Sequence, residues 1–358
     1  MNLAAGLVFV LFGLPSLIWM AGAIFFDVGR KTELGRAAAV LWVLAVIAKV
    51  IFWEPTWQPV LAYAVIFVGF LAWWFSLKPR ADRQWRDDLM IPASADVDQD
   101  TVTVRNVRHS IYRSLEDVTP RYSDRTYRLS GLRAMDLLVS NWGSTLMSHP
   151  FAIFEFEPSE PGGEPQRIGF SLEVRNLKGE GFSLFRNLYR QNELYCAAAD
   201  ERDLIRRRAE HEGERQLYLY RLKIQPETMR IRFLEYISLI NDLAAEPRWY
   251  NAITTNCTTG VFRIYTENRP KLDWRVLANG KLDEYLYQIG ALDQSLPFDE
   301  LKEACRISEV APGLPDEGYG CAIRIGRPGF EAVTGPCPPE TTGRETAETM
   351  TEPAAESG

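Results

Sequence analysis

Phe151-Ala152-Ile153-Phe154-Glu155-Phe156 and Ile168-Gly169-Phe170-Ser171-Leu172-Glu173-Val174 flank a stretch, residues 158–165, built only of Pro, Gly, Glu and Ser. Two apolar-rich runs about a turn-forming segment read as a β-hairpin. A hairpin centred near residue 162 sets His149 opposite Arg175 and Phe151 opposite Glu173. Residues of equal parity share a face of a sheet, so His149, Glu173 and Arg175 are expected as neighbours.

Working outward, alternation marks further strands at Thr101–Val107, Leu137–Val139 and Gln216–Ile224. Leu184–Leu194 reads as a helix. Pro226–Leu243 reads as a second, with Pro226 at a first helical position, Glu227 in the first turn and a stripe of Phe233, Leu234, Ile237 and Ile240. Paired strands together with two helices give the expected fold class, α+β, an antiparallel sheet packed with helices.

The chain before residue 79 has a different character. Residues 3–26 and 59–77 are uncharged and almost wholly apolar, and 37–53 carry one charge, Lys49. A bilayer core takes about 20 apolar residues in a helix. Lys49, near a helix end, can snorkel. The expectation is a transmembrane anchor over 1–78 with three spans. A cleaved signal peptide is the poorer reading of the first run, which lacks a basic start and is too long. Trp53, Trp57, Trp73 and Trp74 lie near the inferred ends, where interface aromatics gather.

Behind the anchor the sequence divides into a polar linker (79–100), a folded domain (101–305), a C-terminal extension (306–337) and a tail (338–358). The tail has five Glu, one Arg and no aromatic residue, a composition that does not bury a core. Beyond residue 78 the chain has 35 basic and 44 acidic residues, which argues against nucleic acid as a partner. The Arg206-Arg207-Arg208 triplet reads as a solvated helix face. His211 is expected in an exposed loop.

The five cysteines are Cys196, Cys257, Cys305, Cys321 and Cys337. No metal-ligand spacing occurs, so no metal or cofactor is expected. Cys321 and Cys337 are able to pair in an oxidising compartment.

Cys257 stands in Tyr250-Asn251-Ala252-Ile253-Thr254-Thr255-Asn256-Cys257-Thr258-Thr259, a polar loop entering a short apolar helix. Cysteines that serve as small core hydrophobes usually have apolar neighbours. A thiol in a first helical turn gains backbone N–H groups and a lowered pKa, as a nucleophile with an oxyanion site requires. Three histidines exist: His109 beside arginines, His211, and His149 immediately before the first strand of the hairpin. A lone histidine is more often structural. Beside Glu173, which is placed to orient an imidazole, His149 becomes the candidate base.

At these residues the sequence resembles the Lnb-type lipoprotein N-acyltransferase domain family. The pieces that carry the resemblance occur in order. They are Asn106-Val107-Arg108 with Tyr112-Arg113; Trp142-Gly143 ahead of Ser148-His149; Phe170-Ser171-Leu172-Glu173 with Arg175; Asp200-Glu201-Arg202-Asp203; Tyr218-Leu219-Tyr220-Arg221; the Asn-Cys-Thr-Thr block at 256–259; and Trp274-Arg275 with Asn279-Gly280. The resemblance covers about residues 70–300. It implies a permuted papain-like thiol-enzyme fold, in which a strand-borne His precedes an Asn-Cys at a helix start. On that reading Cys257 is the nucleophile, His149 the base and Glu173 the orienting residue. Tyr250, Asn256 and Arg175 are candidates for oxyanion or substrate contacts.

The implied activity is a membrane-bound, cysteine-dependent acyl transfer. A fatty acyl group leaves a phospholipid or diacylglyceryl ester, passes through a Cys257 thioester, and reaches an amine such as a lipoprotein N-terminus. Partners would be membrane lipids and bacterial lipoproteins. The alternatives are a thiol amidase acting on cell-wall peptides and a non-catalytic tethered binding module. The enzyme that names the family carries spans after its domain, whereas here the apolar runs precede it. The resemblance implies a bacterial inner-membrane, multi-pass protein with a periplasmic domain. The local charges point the other way: Arg30, Lys31, Arg36, Lys78, Arg80, Arg83 and Arg86 flank the spans on the domain side, which the positive-inside rule assigns to the cytoplasm.

Overall fold

The computed structural model describes residues 3–29, 32–52, 56–80, 83–141, 147–211, 216–264, 273–277 and 279–333. Trp53, Trp142, Gly143, Cys337 and the 338–358 tail lie outside them. The first apolar run is helical throughout. It comprises α1 (Leu3–Val8) and α2 (Leu14–Ala23) with π-helical turns at Phe9–Gly13 and Ile24–Gly29. The first π turn directly precedes Pro15, which has no N–H to offer an α-helical ladder. Helices α3 (Glu33–Ile51) and α4 (Trp57–Ser76) follow. Leu3–Val28 and Trp57–Ser76 are long and apolar enough to cross a membrane. The expected middle span, 37–53, falls on α3, which is not one of those two candidates and carries Glu33, Arg36 and Lys49.

The first helical run and α4 lie side by side and run parallel. Ser16 Oγ is 2.6 Å from the Tyr63 hydroxyl, and Trp74 Nε1 donates to Asp27 Oδ2 at 2.8 Å; each link joins residues 47 apart. Trp19 sits edge-on to Phe67, Phe70 and Trp74.

The folded domain starts before residue 101. The segment expected as a linker holds a 3-10 turn at Asp87–Leu89 and β1 (Ser94–Asp98), with Trp85, Leu89 and Ala93 buried. Next come β2 (Thr101–Arg108), β3 (Ile111–Tyr112), β4 (Val118–Thr119), β5 (Tyr122–Arg128), β6 (Leu132–Asn141), β7 (Ser148–Phe156), β8 (Gln166–Arg175) and β9 (Glu193–Ala199). Then follow α5 (Glu201–His211), β10 (Gln216–Arg221), α6 (Pro226–Ala245), α7 (Cys257–Ile264), α8 (Trp274–Leu277), α9 (Leu282–Gln288), α10 (Phe298–Ala304) and α11 (Tyr319–Ala322). Eight strands form one sheet in the order β1-β2-β9-β8-β7-β6-β10, with β5 paired to β2. The β7–β8 hairpin is present, but the pair Ala152↔Phe170 centres it on residue 161. Projected along the strands, this sets His149 across from Glu173 rather than Arg175. The expected helix at Leu184–Leu194 is a 3-10 turn, Arg186–Leu188, followed by β9.

Alternation along β7 and β8 sends residues to two different cores. Phe154, Phe156, Ile168, Phe170 and Leu172 pack under Phe233, Tyr236, Ile237 and Ile240 of α6. Phe151 and Ile153 pack on the other face with Leu204 and Ile205 of α5, joined by Ile307, Tyr319, Ile323 and Phe330 of the C-terminal segment. Burying one such side chain stabilises by about 1.5–3 kcal/mol. Two glycines set the distances. A Cβ on Gly169 would collide with Leu204 of α5, and one on Gly260 would collide with Leu172 from the α7 side. Helices α5 and α7 therefore lie close against opposite faces of β8.

The α5 face also carries buried charge. Asn106, with φ 58°, sits at a register shift in β2, and Arg108 just beyond it is buried. Arg108 binds Asp203 at 2.8 Å, and Glu173 receives Arg207 and Arg208 at 3.1 and 3.0 Å. The expectation of a solvated arginine face is thus corrected for Arg207 and Arg208, because α5 docks flat on the sheet. His211 ends α5 half-buried, with Nε2 3.1 Å from the Tyr112 carbonyl, rather than in an exposed loop.

A second web joins Arg324, which is fully buried, to Asp136 and Glu201. Burial opposes the charge on Glu155, but Arg167, Arg324 and Arg221 outweigh it and bring its carboxyl down to about 2. Glu173 is likewise held well below its ordinary value, burial being outweighed by Arg207, Arg108 and Arg208. Asp136 shifts upward because burial prevails over its arginines, and this offsets part of the effect. A depressed carboxylate contributes stability that is complete above its unfolded pKa and is lost as pH falls toward the folded one. Stability is therefore expected to fall steadily between about pH 4.5 and pH 2, the interval bounded by the Glu155 values. Circular-dichroism melts across that range check this. Glu155→Gln should give a flatter dependence, and a melting midpoint unchanged down to pH 2 would refute the expectation.

Candidate functional site

Cys257 is the first residue of α7, as its polar setting suggested. Asn256 is the cap. Its Oδ1 accepts from the N–H groups of Thr258 and Thr259 at 3.0 and 2.9 Å, and its Nδ2 donates to the Ala252 carbonyl at 3.0 Å. With Oδ1 on two backbone N–H groups and Nδ2 on the Ala252 carbonyl, Asn256 acts as the cap of α7. The donor at the sulfur is Asn279, whose Nδ2 lies 3.6 Å from Cys257 Sγ and 2.7 Å from Thr258 Oγ1. The other end of that amide is fixed to the start of β7. Asn279 Oδ1 accepts from the Ser148 N–H at 2.7 Å, and Ser148 Oγ donates to the Asn279 carbonyl at 2.6 Å. Tyr250 is buried close enough for the Cys257 charge to act on its hydroxyl, whose pKa is raised first by burial and then by that charge.

Burial pushes the Cys257 thiol above its ordinary value. The Thr258 hydroxyl, the Thr258 and Cys257 N–H groups and Asn279 oppose that rise without cancelling it. The expected lowering of the thiol pKa by the helix start is thus outweighed by desolvation. At neutral pH the resting group is a thiol poised among donors, which can hold a thiolate or an oxyanion once a proton has been taken away.

His149 belongs to a separate chain of contacts. Its Nε2 is 3.0 Å from Ser171 Oγ, which donates to Glu173 Oε1 at 3.0 Å; the ring lies 4.5 Å from that of Phe151. The orienting role expected of Glu173 thus runs through Ser171. By the alternation of β7, His149 leaves the sheet on the α5 face with Phe151, while Cys257 packs with the α6–α7 core. Both stand at the same end of the sheet, since Ser148 opens β7 and Trp249, just before the Cys257 loop, bridges to Glu193 at the start of β9. The structure brings His149 together with Glu173, and Cys257 with Tyr250, Thr258 and Asn279. It sets the two groups on opposite faces.

Arg175 is on the expected face but serves elsewhere. It pairs with Glu193 at 3.1 Å and stacks on Trp85 at 4.5 Å. His109 sits beside Arg125 and Asp200, its pKa lowered mainly by burial. Asn279, Ser171 and Ser148 stood in the sequence only as parts of the motif pieces, with no role attached to them. Asn279 lies 22 residues from Cys257 in the chain and reaches it only through the fold.

Fold and site together define a mixed α+β domain behind apolar N-terminal helices, with a donor-ringed thiol at a helix start. Residues 118–288, from β4 to the end of α9, match the family model of the Lnb N-terminal periplasmic domain, which is consistent with a Lnb-type family. No curated protein and no solved structure matches the chain.

The family and the apolar helices fit a membrane protein with a periplasmic domain. Cys321 is disulfide-bonded, as an oxidising compartment permits. The family description sides with the periplasmic placement and against the cytoplasmic reading of the local charges. Two of those arginines are engaged by the folded domain: Arg86 pairs with Asp88, and Arg83 donates to the Gln191 carbonyl and lies over Trp85.

Proposed function

We propose that this protein is a membrane-bound, cysteine-dependent acyltransferase that moves a fatty acyl group from a phospholipid or diacylglyceryl ester to an amine such as a lipoprotein N-terminus. The observation that carries the reading is Cys257 at the start of α7 with the Asn279 amide at its sulfur. In the first step a proton leaves the thiol and sulfur attacks the ester carbonyl. The Asn279 amide and the Cys257 N–H steady the oxyanion, the C–O bond breaks, and the alcohol departs with a proton. In the second step an amine attacks the thioester, the C–N bond forms, the C–S bond breaks, and the amine's proton returns to sulfur. His149, steadied through Ser171 and Glu173, is the proposed proton acceptor. His149 lies on the other face of the sheet from the sulfur, so this role requires a proton relay around the start of β7. The strand-borne His preceding the Cys at a helix start supports the permuted papain-like reading.

A multi-pass anchor belongs to the same proposal. Two parallel neighbouring spans require a return crossing between them, and α3, a 19-residue helix, is the segment available. The inner membrane is the bilayer that would hold such a helical anchor with its domain in the periplasm.

The test uses the full-length protein in vesicles containing a phospholipid labelled in its acyl chain. Label should appear on Cys257, be released by hydroxylamine, and pass to the amine of an added diacylglyceryl-cysteine peptide. Cys257→Ala protein that still transfers label would overturn the proposal.

A further inference from the structure

The loop between β8 and β9 touches both the anchor and the Cys257 turn. On the anchor side, Tyr189 stacks on Phe26 at 5.0 Å. The Arg190 guanidinium lies 4.2 Å from the Trp74 ring and donates to the Leu77 carbonyl at 2.9 Å. Gln191 Nε2 donates to Asp27 Oδ1 at 2.7 Å. Phe26, Asp27 and Trp74 stand in the last turns of the two helices long enough to span a membrane. On the site side, the Ala252 N–H donates to the Asn187 carbonyl at 2.8 Å, and Asn251 Nδ2 donates to the Leu188 carbonyl at 3.0 Å. The loop therefore fixes the Cys257 turn at the level where the spans end.

The same loop exposes its apolar residues. Phe182, Leu184 and Phe185 are 56%, 48% and 73% exposed, and Ile253, in the turn before Cys257, is 69% exposed. Apolar side chains grouped at one place on a surface mark a contact site. Only three residues separate Phe185 from Tyr189, which is held on the span end, so the group sits near bilayer depth.

We infer that Phe182, Leu184, Phe185 and Ile253 form a lip inserted into the bilayer surface beside the anchor, over which a lipid ester reaches Cys257. The occupant is the lipid bilayer itself, and the argument is continuity with the span ends. The inserted lip stands on that geometry alone. The delivery of an ester to Cys257 rests on the proposed function.

The experiment uses full-length Cys257→Ala protein in phosphatidylcholine–phosphatidylglycerol vesicles, with a bimane fluorophore on Phe185→Cys. Among the described residues the remaining free cysteines, Cys196 and Cys305, are buried. A control fluorophore on Glu160→Cys sits in the β7–β8 turn, at the far end of β8. Lipids brominated in their chains should quench the probe at 185 strongly and leave the probe at 160 unchanged. No quenching at 185 overturns the lip. Quenching that is absent while the emission shifts blue marks a protein partner, such as a second copy, and also overturns it. In protein with Cys257 intact, Leu184→Asp with Phe185→Asp should slow acylation from vesicle phospholipid at least tenfold and leave acylation by a soluble short-chain thioester unchanged. Equal loss with both donors overturns the delivery role. Quenching without any acylation of unsubstituted protein would overturn the proposed chemistry and keep the lip, so the two failures are distinguishable.

Discussion

In the proposed reaction, Asn279→Asp is expected to slow acyl transfer by about 10²- to 10³-fold, the usual cost of removing one oxyanion donor, while the domain stays folded. The substitution is nearly isosteric. Oδ1 still accepts from the Ser148 N–H, so the tie between the loop and β7 persists. What changes is the atom facing Cys257 Sγ and Thr258 Oγ1, where an N–H donor becomes a carboxylate oxygen. A negative charge there repels both the thiolate and the oxyanion. The Cys257 thiol, already raised by burial, should rise further. Two measurements separate this from a folding defect. The pH profile of Cys257 alkylation should move to higher pH, and the melting midpoint should change little. An alkylation profile that coincides with that of the unsubstituted protein would show that Asn279 does not act on the sulfur.

Arg324→Ala is expected to destabilise the domain by about 3–5 kcal/mol, as removal of one partner from a buried ion pair does. For a domain of this size that lowers the melting midpoint by roughly 10 °C. Arg324 donates to Asp136 at 2.7 Å and to Glu201 at 2.8 Å, and all three side chains are buried. Asp136 keeps Arg221, so Glu201 and the second oxygen of Asp136 bear most of the loss. Arg324→Lys should recover only part, because a single ammonium does not reproduce the planar fork that meets two carboxylates. The effect would also show that the 306–333 segment, beyond the family match, is integral to the fold. A midpoint within 2 °C of the unsubstituted protein would refute it.

Several elements were legible because their signals are local. The hairpin announced itself by alternation about a Pro-Gly turn, helix α6 by its stripe and Pro226, and the Cys257 helix start by Asn256 followed by small polar residues. Strand β9 was not legible. Glu193–Ala199 is buried on both faces, so it shows no alternation, and its residues suit a helix equally well. Strand β1 was hidden in a polar, largely exposed stretch that is held in place by pairing with β2. Arg207 and Arg208 looked solvent-facing because composition does not reveal that Glu173 waits beneath them.

The sequence by itself determined the apolar N-terminal helices, the α+β character, the Lnb-type motifs and the placement of Cys257 in a first helical turn. All of these depend on neighbours in the chain. Only the tertiary structure decided that the first and last apolar helices run parallel. It also decided that Asn279 reaches the sulfur, that Ser171 stands between His149 and Glu173, and that His149 and Cys257 occupy opposite faces of the sheet. The physical reason is that a strand's parity says which residues share a face. Which helix covers that face is settled by packing distances such as those at Gly169 and Gly260.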